Sequence, residues 1–303
     1  MDRNLSRSYL LIILSVVFWG FSFIGTNILI RENIPPVVFL LLRINIAGWL
    51  LLIFGKLTRQ LQHIDRKDWK WLWLLSFCEP FAYFLAETYG LMATESPTLT
   101  ALVIATIPLF SLLVGRVFFH EQLSKRNILG ILLTLPGAAL MVFNGNGISA
   151  KHGWGILILL IAVASSVSYA SMVKTLSRRY NSITLTTYQF VLGGLLFFPL
   201  LGTVDWSTFA LHSLTLPKVW GSILSLAILC SCCGFCFYVE AVKHIGMSKT
   251  VVFTALIPAV SALASYLMGI ETFNFQQIGG IAVVTLGVIL SQMSPKPSRS
   301  DHV

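Results

Sequence analysis

Three ionisable residues stand where an apolar chain would be expected to hold none. Arg43 falls in the run FLLLRINIAGWLLLIF, and Glu79 and Glu87 fall in LLSFCEPFAYFLAETYG. In a membrane, a guanidinium and two carboxylates can neutralise one another, carry a proton, or grip a charged ligand. An isolated charge at a helix centre costs at least about 2.5–3.5 kcal/mol on insertion scales, so each needs a partner or a wet cavity. If one helix runs inward from about residue 36 and the next runs outward to about residue 94, Arg43 and Glu87 both lie seven residues from the same surface. At about 1.5 Å per residue both are then roughly 10 Å deep. Arg43 with Glu87 is the expected ion pair. Glu79 sits two turns deeper, with Tyr83 between the carboxylates, and no equally deep cation is evident for it. It is the leading candidate for proton coupling or for binding a substrate amine. The plainer alternative is a structural Arg43–Glu87 pair and a neutral, hydrogen-bonded Glu79.

Other polar and ring groups recur inside apolar runs: Trp19 and Ser22 in the middle of the first, Asn27 nearer its outer end, and Tyr169, Tyr188, Gln189 and Tyr238 in the second half. Buried Tyr and Trp need partners for their O–H and N–H, so some of these should face a shared cavity and others should only pack. Such a wall suits a small organic solute with a polar head and a modest apolar part.

The elements that must position these groups are membrane helices. The chain is 56% hydrophobic and 11% charged with mean hydropathy +0.81, against roughly 25% charged in a soluble domain. Runs of about 17–25 apolar residues mark spans, and ten are read near 9–29, 36–54, 70–93, 97–119, 125–143, 153–174, 183–204, 217–242, 247–270 and 273–293. The first is long and lacks an A-x-A-like cleavage site, so it reads as a span and not a removed signal peptide. The expected fold is an all-α integral membrane protein of ten transmembrane helices.

The net charge of +9 invites a nucleic-acid reading, but its distribution argues for topology instead. Assigned to alternating sides of ten spans, sixteen Lys and Arg fall on the side of the termini and three (Arg31, Lys151, Lys218) fall opposite; Arg43 and Arg116 lie within spans. Lys and Arg accumulate on the cytoplasmic side, so both termini are expected there, with no nucleic-acid partner.

Thr98–Met141 repeats at Ser248–Ser291 with a constant offset of 150, and twelve of the 44 aligned positions are identical. Aliphatic identities count for little, but the paired Pro108/Pro258, Glu121/Glu271, Gly130/Gly280 and Gly137/Gly287 are harder to obtain by chance. Five spans per half is an odd number, so the second half enters from the opposite side. Inverted repeats place a solute site near the midplane at their interface. The expected units are residues 1–150, an inverted copy over 151–294, and a cytoplasmic tail over 295–303.

FWGFSF (Phe18–Phe23), LLRINIAG (Leu41–Gly48), the Pro, Glu and Gly pattern of Thr98–Ala138, SYASMVKTLSRRY, and YVEAVKHIGMSKTVVFTALIP (Tyr238–Pro258) together resemble the EamA-type drug/metabolite transporter superfamily over nearly all of residues 9–293. The resemblance implies a ten-helix carrier whose cavity is lined by helices 1–4 and 6–9, with helices 5 and 10 peripheral. It also implies a cargo of amino acids, other metabolites or drug-like compounds, often moved outward, and residence in a bacterial inner membrane. Glu79, Glu87 and Glu240 depart from the family pattern in spans three and eight.

The remaining features read more plainly. Pro108 and Pro258 occupy matching mid-span positions, where a proline removes a backbone bond; each is read as a gating kink or a static one. Pro80 and Pro136 have no counterpart and are expected only to shape packing. Gly130/Gly137 and Gly280/Gly287 return to one helix face and suit close packing, within the chain or in a homodimer. Glu121 and Glu271 suit the capping of a helix start. Cys230, Cys232, Cys233 and Cys236 point to different sides of a helix and are read as packing residues rather than metal ligands. No Ser/His/Asp, HExxH, GxSxG or phosphate-loop pattern is present, so neither an enzyme, a cofactor nor direct ATP use is expected. The competing readings are an intramembrane enzyme or a channel using Arg43, Glu79 and Glu87.

Overall fold

The computed structural model describes residues 3–94, 103–121, 123–142, 153–206, 214–267 and 275–293. All regular structure among them is helical. The first half holds α1 (Arg3–Arg31), α2 (Pro36–Leu57), α3 (Trp69–Ser76), α4 (Tyr83–Thr94), α5 (Ile107–Phe119) and α6 (Lys125–Val142). The second holds α7 (Gly153–Leu176), α8 (Ser182–Phe197), α9 (Pro217–Ser225), α10 (Gly234–Ile245), α11 (Met247–Val252), α12 (Ile257–Leu267) and α13 (Phe275–Gln292).

Local chemistry sets several boundaries. α2 and α9 open on Pro36 and Pro217, where a missing N–H leaves no internal bond unmade. The Asn181 side chain accepts the Thr184 N–H at 2.7 Å and so caps α8. α10 and α11 are separated by Gly246, whose φ of +88° suits a residue without Cβ.

The segments Leu5–Arg31, Pro36–Leu57, Gly153–Leu176, Ser182–Thr203 and Pro217–Ile245 are long and apolar enough to cross a membrane. Trp49, Ile53, Phe118, Trp154, Ile161 and Leu286 are exposed, while Arg43, Glu79, Gln189, Thr187 and Ser231 are buried. An apolar surface over a polar interior suits lipid as the surrounding solvent. The chain is a multi-pass membrane protein. The span expected to be continuous over 70–93 is instead broken into α3 and α4.

Helix pairing is reciprocal between the halves. α1 packs on α10 and α4 on α7; α1 packs on α12 and α5 on α7; α2 packs on α8 and α6 on α13. Swapping each segment for its partner in the other half reproduces the same set. The α6–α13 pair is the closest: a Cβ on Gly137 would lie 2.7 Å from the Val284 N, and the Asn127 amide donates to the Ser291 carbonyl. The glycine face read from the sequence is thus filled within one chain.

Candidate functional site

The site is built on two irregular turns at corresponding places in the halves. Between α3 and α4, Phe77–Ala82 winds as a π-helical turn, and at Glu79 the backbone leaves helical geometry altogether (φ −146°, ψ 119°). Pro80 follows and offers no N–H, so the i→i−4 ladder stops there. It shapes packing as expected, its ring filling the space beside Gly193, but it also interrupts the helix. Between α9 and α10, Leu226–Cys233 is also π-helical. π turns and broken membrane helices recur at functional sites because the wider winding releases backbone groups. The Cys230 carbonyl accepts the Trp19 indole N–H at 3.0 Å, and the Gly234 carbonyl accepts the Ser15 hydroxyl at 2.8 Å.

The charged groups meet across these turns, though not as depth alone suggested. Arg43 is 6% exposed; its Nε–H donates to the Ser231 hydroxyl at 2.9 Å and its guanidinium lies 4.6 Å from the centre of the Phe84 ring. The expected Arg43–Glu87 ion pair is absent. Glu87 instead accepts the Tyr83 hydroxyl at 3.0 Å, because residues four apart on α4 face one another once the helix restarts after Ala82. Glu79 is 7% exposed and has no hydrogen bond or ion pair among the described residues, unlike the hydrogen-bonded core acid of the plainer reading. It lies within electrostatic reach of Arg43, Glu87, Tyr83, Tyr169 and Tyr238.

An aromatic wall surrounds this set. The Tyr169 and Tyr238 rings stack at 6.0 Å, Trp19 lies 5.5 Å from Tyr238, and Tyr169 donates its hydroxyl to Gln189 Oε1 at 3.2 Å. Gln189 is fully buried and its Nε2 has no hydrogen-bond partner among the described residues. Phe235 sits at the centre, in contact with Trp19, Phe84, Tyr169 and Phe190. The sequence reading missed Phe84, Phe235 and Ser231. The only signal for them was helical spacing from Tyr238 and Glu87, and phenylalanine in an apolar run carries little information.

Other candidates lie elsewhere or serve locally. Tyr188 packs edge-on against Trp69 at 5.4 Å, and Ser22 donates to the Trp19 carbonyl of its own helix at 2.6 Å. The Asn27 side chain and Glu271 lie outside the described residues. Pro108 and Pro258 are not mid-helix kinks: each is the second residue of a helix, after a turn at Ala105–Thr106 and after the 3₁₀ turn Phe253–Leu256. There the missing N–H costs no internal bond. The Cys230 thiol donates to the Phe18 carbonyl and that of Cys232 to the Ala47 carbonyl, as packing residues do. Glu240 pairs with His244 one turn along α10.

Two carboxylates outside the spans tie the halves at the Lys/Arg-rich end. Asp68 accepts from Arg179 at 3.0 Å and from the Tyr180 hydroxyl at 2.8 Å. Burial would raise its pKa, but these bonds outweigh burial and hold it below the ordinary 3.8. Glu121 accepts the backbone N–H groups of Met247 at 3.1 Å and Ser248 at 3.2 Å and pairs with Lys174 at 3.3 Å. Burial acts upward there too, and the Ser248 and Lys174 contacts bring it below the ordinary 4.5. At the other end Glu32 pairs with Lys218.

The chain is 25% identical over 288 residues to an uncharacterized transporter of Archaeoglobus fulgidus, covering 94% of this chain and 98% of that one. It is 23% identical over 285 residues to the uncharacterized transporter YetK of Bacillus subtilis, covering 91% and 85%. One solved crystal structure superposes with a TM-score of 0.80 at 16% identity, over 95% of this chain and 96% of that one, which fixes the shared fold. The profile of the EamA-like transporter family matches residues 6–143 and again 153–293. With both halves matched, the chain belongs to the EamA-like transporter family and is a membrane transporter of a small-molecule solute.

Proposed function

We propose that this transporter exports a small organic solute, an amino acid, related metabolite or drug-like compound, by alternating access between two inverted five-helix halves. In this reading ten spans cross the inner membrane with both termini in the cytoplasm, and the site lies at the two π turns. The observation that carries it is the proximity of two deeply buried ionisable side chains of opposite type, Arg43 and Glu79, that make no ion pair with each other or with Glu87. Unpaired charges in a low-dielectric interior are costly, and what offsets them here is a visiting charge. Glu79 takes a proton or a solute ammonium group; the Arg43 guanidinium, held at Nε by Ser231, turns its remaining donors to an acidic or polar head. The rings of Tyr169, Tyr238 and Trp19 cover the apolar part, and the free Gln189 amide supplies another donor. Glu87, restrained by Tyr83, also lies within electrostatic reach of Arg43.

The experiment is a panel of radiolabelled amino acids and metabolites loaded into proteoliposomes of the purified chain. Saturable, vectorial flux of at least one of them is expected, reduced by Arg43→Leu and by Tyr238→Ala. Chemical turnover without movement across the bilayer would favour an intramembrane enzyme instead. Labelling of a probe cysteine at Arg66 or Arg178 from the outside of intact cells would overturn the topology.

A further inference from the structure

Glu121 belongs to the first half, yet every described partner of its carboxylate belongs to the second. Its Oε1 accepts the Met247 N–H and meets the Lys174 ammonium, and its Oε2 accepts the Ser248 N–H. Lys174 lies in the last turn of α7, and Met247 and Ser248 open α11. The Glu121 and Lys174 side chains are only 14% and 19% exposed, so the contact is largely shielded from the water that weakens surface pairs. The Ser248 hydroxyl also reaches the Ser111 carbonyl of α5 at 3.4 Å.

Two glycines are shaped to this contact. A Cβ on Gly115 would collide with the Ser248 hydroxyl and lie 2.9 Å from Glu121 Oε2. A Cβ on Gly246 would lie 3.3 Å from Glu121 Oε1 and 3.4 Å from Lys174 Nζ, at a φ few other residues adopt. Both segments that meet here are broken one helix further in, at Ala105–Thr106 before Pro108 and at Phe253–Leu256 before Pro258.

At the other end, the residues that the offset of 150 pairs with Glu121, Met247 and Ser248 lie outside the described residues. The offset of 150 pairs Lys174 with Ile24, and aligning the C-termini of α7 and α1 pairs it with Leu29; the cation in the last turn of α1 is Arg31. The Asp68–Arg179 contact does have a counterpart there in Lys218–Glu32, with the charges exchanged, so those two pairs do not distinguish the ends.

We infer that Glu121, Lys174 and the Met247 and Ser248 amides form a latch between the halves at the Lys/Arg-rich end. It holds the Lys/Arg-rich end shut in the absence of solute, and its release opens the carrier to that side. This rests on reading the two halves as a carrier.

The test follows amide hydrogen exchange in the full-length protein in lipid nanodiscs, without solute, so that a wrong solute or absent flux leaves the readout intact. With Lys174→Ile, exchange in peptides covering 244–252 should rise about tenfold, the ratio that about 1.4 kcal/mol supplies, while α2 is unchanged. Lys174→Arg should restore wild-type exchange. Gly115→Ala, which pushes a methyl into the same contact, should raise exchange at the same peptides and serves where Lys174→Ile folds poorly. Unchanged exchange at 244–252 in both variants, or a rise spread evenly over all helices, overturns the latch.

Discussion

A single methyl group at Gly130 should loosen the junction of the two halves. α6 and α13 meet so closely there that a Cβ on Gly130 would lie 2.5 Å from the Gly287 carbonyl oxygen and 2.8 Å from the Ser291 Cα, with the Ser291 nitrogen nearer still. All three obstacles are backbone, so no rotamer change relieves the overlap and the helices must separate. Overpacking of this kind costs about 1–3 kcal/mol. Replacing a helical glycine by alanine contributes up to about 1 kcal/mol the other way through helix propensity. At Gly130 the clash should win. Gly279, on the same α13, has nothing within 4 Å of its added Cβ, so there only the propensity gain remains. The assay is thermal unfolding of both alanine variants in one detergent. Gly130→Ala should melt below wild type, and Gly279→Ala at or above it. Equal melting of the two, or a Gly130→Ala protein as stable as wild type, would refute the reasoning and reopen the glycine face as a contact between copies.

Trp19→Phe keeps a ring beside Phe235 and Tyr238 but strips the Cys230 carbonyl of its donor. A lost hydrogen bond within a membrane protein costs about 1 kcal/mol, so melting should fall modestly; an unchanged melting temperature would mean the indole N–H is dispensable. Asp68 and Glu121 both titrate below their ordinary values, so each contributes stability above that value that is lost as pH falls through the lowered folded value. The stability difference between wild type and Asp68→Asn should therefore be largest near neutral pH and shrink toward about pH 3; a difference independent of pH would contradict the assignment. Tyr188→Ala, at the Trp69 contact away from the charged cluster, should leave solute affinity unchanged while Tyr238→Ala weakens it.

The class of the molecule was legible from composition alone, since lipid permits long apolar helices and little else. The small-residue face was also legible, because Gly130/Gly137 and Gly280/Gly287 leave the pattern that close packing requires, but not which helix would fill it. The break at Glu79 was not foreseen: Pro80 was expected only to shape packing within a continuous span, and no rule of spacing forecast a π turn there or the matching one at Leu226–Cys233, where no proline stands. Helical depth grouped Arg43 with Glu87, yet depth says nothing of azimuth. Tyr83, four residues from Glu87, and Ser231, from another segment, took the bonds the pair was expected to make. Gln189 and Tyr169 joined the cluster because a buried amide and phenol seek each other. Tyr188, one residue along, faces another way, which a list of polar residues cannot reveal.

The central claim is that Glu79 is the acid through which this transporter engages its solute or a coupled proton. Glu79→Gln removes the charge while keeping the shape of a side chain that has no structural partner to lose. Initial solute flux in proteoliposomes should be measured for wild type and Glu79→Gln across a pH series, with melting temperature followed in parallel. The expected result is a folded variant whose flux falls at least about tenfold, the ratio that about 1.4 kcal/mol of lost interaction supplies, and no longer changes with pH as wild type does. Flux and pH dependence identical to wild type would contradict the account and remove Glu79 from the mechanism.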